Sequence, residues 1–247
     1  MPAYRRMYED RHMRHQPAPT SSVRHPFPAA ARTAALVVAV LAACCAVLMS
    51  LVAVEWGPLA EADGAVSRTT HRWAVHDRAV TSGIRVVSDW VLDPLTMRLL
   101  CAVVALWLLW RRAAWRTALW LMVTCGVAVV VQQSVKATVG RPRPVWPDPV
   151  DSARFAAFPS GHAMTATVVC GLLLWLLHRG GVRGALWWSA VAVGLVAVVG
   201  VGVTRVWLGV HWPSDVLGGW LFGALVVAVA VVVYKWPASG VRGRRPG

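Results

Sequence analysis

The run TAALVVAVLAACCAVLMSLVAV, residues 33–54, holds 22 residues without a charge. At about 1.5 Å per residue a helix of that length spans roughly 33 Å, enough for the hydrocarbon core of a bilayer. Five further apolar runs follow, at 95–110, 117–135, 163–177, 185–203 and 216–234. Apolar residues make up 57% of the 247 and charged residues only 15%. The pattern predicts an all-α polytopic membrane protein, a bundle of six transmembrane helices. Leu41-Ala42-Ala43-Cys44 looks like a lipoprotein processing site. The run continues ten residues past Cys44 and a long tail precedes it, so it reads as a span. The expected organisation is a disordered basic tail over 1–32, a six-span domain over 33–234 and a basic tail over 235–247.

The chain carries 25 Lys and Arg against 11 Asp and Glu, and only Lys136 and Lys235 are lysines. The excess lies mostly in the tails and the short connections between runs. That distribution fits the charge bias of membrane topology better than a nucleic-acid surface, and no nucleic-acid partner is expected. Six spans put both termini on one side. That side, with the turns at 111–116 and 178–184, holds 15 Lys and Arg; the opposite connections hold nine. The tails are therefore expected in the cytoplasm and the opposite connections outside. Arg98 falls inside the second run and is expected to snorkel to the interface. Cys44, Cys45, Cys101, Cys125 and Cys170 all lie in apolar runs, with no metal-ligand spacing, and read as small buried hydrophobes.

Residues 55–94 hold six of the 11 acidic residues. Val80, Ile84, Val87 and Val91 follow 4-3-4 spacing there, with Trp73 and Val66 seven and fourteen residues earlier. The spacing predicts an amphipathic helix at the interface or over the bundle, or else a solvated helical loop. Glycines at 194, 200 and 202, and at 218, 219 and 223, predict close contacts between helices.

Three polar islands interrupt the apolar chain, and the topology brings all three to the outer face. The first is KATVGRPRP, residues 136–144, with Lys136 at a helix end, Gly140 as a helix stop and Arg141 and Arg143 beyond. The second is FPSGH, residues 158–162. Ser160 suits an N-cap whose side chain accepts from a free backbone N–H. Gly161 allows close approach to the backbone, the helix N-terminus favours an anion, and His162 stands beside it as an acid or base. The third is TRVWLGVHWPSD, residues 204–215. Pro213 suits a first helical turn, and Asp215 can orient His211 by accepting from a ring nitrogen. Cations that clamp an anion, beside a carboxylate-oriented histidine, suit phosphoryl transfer through a phosphohistidine.

Together the islands resemble the type 2 phosphatidic acid phosphatase superfamily, lipid phosphate phosphatases related to vanadium haloperoxidases. That family carries Lys, six residues, Arg-Pro; Pro-Ser-Gly-His; and Ser-Arg, five residues, His, three residues, Asp. Lys136 pairs by this spacing with Arg143-Pro144, which makes Arg141-Pro142 a decoy. Thr204 replaces the Ser and keeps a hydroxyl. The resemblance implies that His211 is the nucleophile, that Asp215 orients it and that His162 protonates the leaving oxygen. It implies that Lys136, Arg143, Ser160, Gly161 and Arg205 hold the phosphate oxygens, with no metal or other cofactor. The implied activity is hydrolysis of a membrane lipid phosphate or diphosphate, such as phosphatidic acid, phosphatidylglycerol phosphate or a polyprenyl diphosphate. A phosphotransferase using the same site, a vanadate-dependent haloperoxidase and a non-catalytic membrane scaffold or transporter are the alternatives.

Overall fold

The computed structural model describes residues 29–235, and the regular structure there is entirely helical. Eight α-helices follow in order: α1 Ala29–Ala53, α2 Gly57–His76, α3 Arg78–Val86, α4 Pro94–Arg112, α5 Trp115–Val139, α6 Gly161–Arg179, α7 Gly184–Trp207 and α8 Pro213–Lys235. A π-helical turn, Val87–Val91, joins α3 to α4. Six stretches are long and apolar enough to cross a membrane, one for each expected run, so the chain is an all-α, multi-pass membrane protein. Helix α1 starts at Ala29, four residues before the uncharged run, and includes Arg32 in its first turn. The rest of the expected tails, 1–28 and 236–247, lies outside the described residues.

Local chemistry sets the helix ends. Asp93 caps α4, accepting from Leu95 N at 2.7 Å, and Pro94 fills the first helical position. Gly140 ends α5 in the left-handed region, at φ 62°, as expected of it. Two ends draw site residues into helices, the first beyond the expected span and the second where Pro213 suggests. Helix α7 runs on through Trp207, so Thr204 and Arg205 sit in its last turns. Helix α8 starts at Pro213, which places Asp215 in its first turn.

Helix α6 is the hub, packed against α4, α5, α7 and α8. Its face toward α8 is very close. A Cβ on Gly219 would lie 2.7 Å from Ser160 O, and one on Gly223 would lie 2.7 Å from Thr167 Cβ. Larger residues would push α8 off α6 and carry the 158–162 turn with it. Gly194, Gly202 and Gly218 also sit in close contacts, whereas Gly200 faces open space and has no packing role. Cys45, Cys101 and Cys125 are buried and Cys170 half-buried, but Cys44 is exposed on the outer side of α1. No disulfide forms among them.

The 57–91 segment turns the opposite way from an apolar-inward helix. Val66, Trp73, Val80, Val87 and Val91 are exposed, while Asp63, Ser67, His71, Thr81 and Ser88 are buried. The polar stripe has helical spacing of its own and packs onto α7 and α8. An interfacial helix can leave its apolar side to lipid and spend its polar side on partners inside the protein. Arg98 also departs from expectation. Its side chain turns into the bundle and donates to Thr165 Oγ1 of α6 at 3.2 Å instead of reaching the interface.

Candidate active site

All three polar islands meet at one end of the bundle. The chain from 140 to 160 folds back over that end. Ala157 N donates to Arg141 O at 2.8 Å, Trp146 Nε1 to Gly209 O at 2.9 Å and Trp212 Nε1 to Pro142 O at 3.0 Å. Ser160 N donates to Asp215 O at 2.9 Å, which ties the 158–162 turn to the start of α8.

His211 lies in the turn between α7 and α8 and is buried. Its Nδ1 is 3.3 Å from Asp215 Oδ2, four residues on, and its Nε2 is 3.2 Å from Arg143 Nη1. A carboxylate only accepts and a guanidinium only donates. Both contacts therefore select one tautomer, with the proton on Nδ1 and the lone pair on Nε2. Burial, first of all, lowers the His211 pKa to about 4, against the raising effect of Asp215. The ring is neutral at pH 7, as a nitrogen nucleophile must be.

Asp215 is fully buried and completely partnered. It accepts from Trp212 N at 2.8 Å and from Arg141 Nη1 at 2.7 Å, besides facing His211. Arg141, set aside as the motif's Arg-Pro in favour of Arg143, supports the Asp215 carboxylate instead. Its Nη2 also pairs with Asp63 Oδ2 at 2.7 Å, and Asp63 Oδ1 accepts from Ser214 N at 2.9 Å. Arg141 and Arg143 each precede a proline, which favours extended backbone, but their side chains part around the His211 ring. Arg141 reaches the carboxylate side of His211, and Arg143 reaches the lone-pair side. Arg143 is further held by the carbonyls of Phe155, at 2.9 Å, and Arg154, at 3.1 Å. Burial lowers its pKa from the usual range, yet a guanidinium stays charged.

The opposite side of the site is less satisfied. The Ser160 hydroxyl is buried and makes no hydrogen bond, so the expected capping bond is absent. The first intrahelical bond of α6 is Met164 N to Ser160 O, so the amides of Gly161 and His162 precede it. His162 Nε2 has no hydrogen-bond partner, and Asp93 Oδ1 stands 3.9 Å away. Arg205 donates to Asp89 Oδ1 at 2.8 Å and Ser88 Oγ at 3.0 Å, and lies 3.7 Å from Asp151 Oδ2; its Nε is unpartnered. Lys136 is buried in the last turn of α5 and donates to the Ala156 carbonyl.

Sequence reasoning missed Asp63, Ser88, Asp89, Asp93 and Gln132. The amide Nε2 of Gln132, one turn before Lys136, would be 2.6 Å from a Cβ on Gly161. For Asp63 a signal existed: residues 63, 67 and 71 form a polar stripe, overlooked beside the apolar one.

The sequence profile of the PAP2 superfamily matches residues 117–238. Phosphatidylglycerophosphatase B of Bacillus subtilis is 34% identical over 47% of this chain and 56% of its own length. An undecaprenyl-diphosphatase of Sulfolobus acidocaldarius is 28% identical over 53% of this chain and 61% of its own. The match thus spans little more than half of each relative. A crystal structure of a transmembrane PAP2 type phosphatidylglycerolphosphate phosphatase from Bacillus subtilis shares the fold, with a TM-score of 0.66, 24% identity and coverage of 84% of this chain and 98% of that one.

Proposed function

Residues 117–238 belong to the PAP2 superfamily, and on that premise we propose that the protein is a membrane lipid phosphatase working through a phosphohistidine. The observation that carries this is the single tautomer of His211, with its lone pair on Nε2 beside the Arg143 guanidinium. The Nε2 lone pair attacks phosphorus, and the bond from phosphorus to the lipid oxygen breaks. That oxygen takes its proton from His162. Neutral His162 then accepts a proton from water, the hydroxide oxygen bonds to phosphorus, and the N–P electrons return to Nε2. Asp215 holds the imidazolium-like charge that develops on His211. Arg143, Arg205, Lys136, the Ser160 hydroxyl and the amide of Gly161 stabilise the phosphate oxygens.

Two relatives are named for phosphatidylglycerophosphate and undecaprenyl diphosphate, phosphates carried on lipids, which supports a lipid-borne substrate here. The split of 15 Lys and Arg against nine supports an orientation with the termini in the cytoplasm and the site outside. Purified full-length protein should release inorganic phosphate from members of a lipid phosphate and diphosphate panel. No release from any of them by folded protein would sink the reading. Labelling of a cysteine placed at Asp148 in intact cells tests the orientation, and labelling only after lysis would reverse it.

A further inference from the structure

Helix α2 carries a cationic side that the proposed reaction does not use. At 3.6 residues per turn, Val66 and Trp73 share one side of it, apolar and exposed. Asp63, Ser67, His71 and Ala74 form the next side and are buried. Ala65, Arg68, Thr69 and Arg72 fall on the side away from that stripe. Helix α2 lies between the first two spans, at the end of the bundle that holds the site, and is not itself a span. An exposed side of Val66 and Trp73 suits lipid, which sets Arg68 and Arg72 at the depth of the headgroups.

Ala65, Arg68, Thr69, His71 and Arg72 of α2 and Trp146 of the 140–160 chain line an open groove of about 410 Å³, the size of a small-ligand site. Its wall opposite the arginines is the Trp146 ring, stacked on His71 with centroids 4.2 Å apart and fixed by the bond from Nε1 to Gly209 O. Burial, first of all, lowers the His71 pKa, so that ring is neutral at pH 7 and the positive charge of the groove is that of the two guanidiniums. The Arg68 guanidinium lies back along the helix over Gly64, which has no side chain to block it. Arg68 has no hydrogen-bond partner among the described residues, and Arg72 donates to Thr69 Oγ1 at 3.3 Å. No described carboxylate lies within 4 Å of either arginine. Asp148, the acid whose charge acts on His71, is exposed on the chain beyond Trp146.

Like charges four residues apart on one helix side repel each other. An anion between them removes the repulsion, and a phosphate has oxygens for both guanidinium forks. At headgroup depth the anion at hand is the phosphodiester of an anionic phospholipid. A zwitterionic headgroup brings its own ammonium, which offsets the gain. A soluble acidic partner would meet the arginines but gain nothing from the apolar Val66 and Trp73 side. A phosphodiester carries no terminal phosphate, so such a lipid is not a substrate of the proposed reaction.

We propose that Arg68, Arg72 and Trp146 form a docking site, separate from the active site, for the phosphodiester headgroup of an anionic phospholipid. The site stands apart from the phosphatase reading, because none of its residues takes part in that reaction. A headgroup docked there lies against Trp146, whose partner Gly209 is two residues from His211. It also lies along the helix that brings Asp63 to Arg141. It thereby holds α2 at the membrane surface, where its buried stripe meets α7 and α8.

The test uses the full chain in phosphatidylcholine vesicles with a trace of phosphatidylglycerol that carries a photoreactive diazirine on its headgroup. Cross-linked peptides are mapped for wild type and for the double variants Arg68→Gln/Arg72→Gln and Arg68→Lys/Arg72→Lys. Both arginines are exposed, so the variants should fold. Wild type should be labelled within 65–72 or 144–148, and excess unlabelled phosphatidylglycerol, but not added phosphatidylcholine, should suppress that label. The Gln pair should cut it roughly 10- to 30-fold, the range for two cations at an anionic lipid surface, and leave other labelled peptides unchanged. The Lys pair keeps the charge and loses the fork, so its fall should be smaller. Groove labelling that is absent, equal in wild type and the Gln pair, or suppressed as well by phosphatidylcholine overturns the site. Suppression by soluble glycerophosphoglycerol as strong as by the lipid overturns the assignment to a membrane lipid.

Discussion

The two histidines stand in opposite environments. The groups that contact the His211 ring are held by the protein: Asp215 is bonded on both oxygens, Arg141 bridges Asp215 to Asp63, and Arg143 is pinned by three backbone carbonyls. Around His162 the buried Ser160 Oγ, His162 Nε2 and Arg205 Nε have none. Polar groups not already bonded within the protein are the ones free to bond a substrate, as the proposed reaction requires of this wall. The difference separates two tasks. In the proposed reaction the nucleophile must be aimed and kept neutral before substrate arrives, which protein bonds do. In that reaction the wall opposite bonds to phosphate and leaving group, which requires donors not already committed.

Substitutions on the two sides should therefore fail differently. The largest effect belongs to His211→Ala, which removes the attacking lone pair and should abolish phosphate release from lipid phosphates and nitrophenyl phosphate alike. Residual turnover with a folded His211→Ala protein would reassign the nucleophile. His162→Ala comes next. A lipid alkoxide needs a proton to depart, and general acid catalysis contributes ~10²–10⁴-fold. Nitrophenolate departs without much help, so single-turnover rates should fall by that factor on a lipid monophosphate and far less on nitrophenyl phosphate. Equal losses on the two would mean that His162 positions phosphate and that the comparison between the two sides is wrong.

Arg141→Gln should act on His211 through Asp215, with no dependence on leaving group. We expect roughly 10- to 100-fold lower kcat on both substrates, the range for breaking a supporting hydrogen bond to a catalytic group. Removing that cation leaves the Asp215 carboxylate less neutralised, so the His211 pKa should rise and the acid limb of kcat/KM should move to higher pH. A rate loss without that movement would make Arg141 merely structural.

In wild type the acid limb reports His211 itself. Its folded-state pKa, about 4, lies below the ordinary 6.5, so kcat/KM should hold through mildly acidic pH and fall as pH drops through about 4. The unfolded chain binds this proton more readily than the folded one. The stability that neutral His211 contributes is thus whole above pH 6.5 and is lost as pH falls toward 4. A limb centred at 6.5 would show that burial does not depress the ring. The smallest expected effect is that of chelation. Lys136, Arg143 and Arg205 supply the positive charge, so excess EDTA should leave the rate unchanged, while vanadate should inhibit by occupying the phosphate site. Loss on chelation, restored by magnesium, would reject the cation clamp.

Much of this was legible along the chain because the signals are local. A span is a run of apolar residues long enough for a bilayer, and 33–54 shows one without reference to anything else. The Gly140 stop and the Pro213 start likewise depend only on neighbouring backbone, and the four-residue spacing of His211 and Asp215 puts them one turn apart wherever they lie. What the chain alone determined is therefore the six-helix membrane architecture and the chemistry carried to one end of it. Which groups face each other was decided by the tertiary structure. Asp63 reaches Arg141 and Ser214 across 78 and 151 residues, and no local pattern records such a partner. Nor could hydropathy orient the 57–91 helices or Arg98. In a bilayer the lipid is as apolar as a protein core, so an apolar stripe does not say which side is inside. The buried side is instead chosen by where polar atoms find partners: Asp63 turns in to Arg141, Arg98 turns in to Thr165, and Trp73 is left outward.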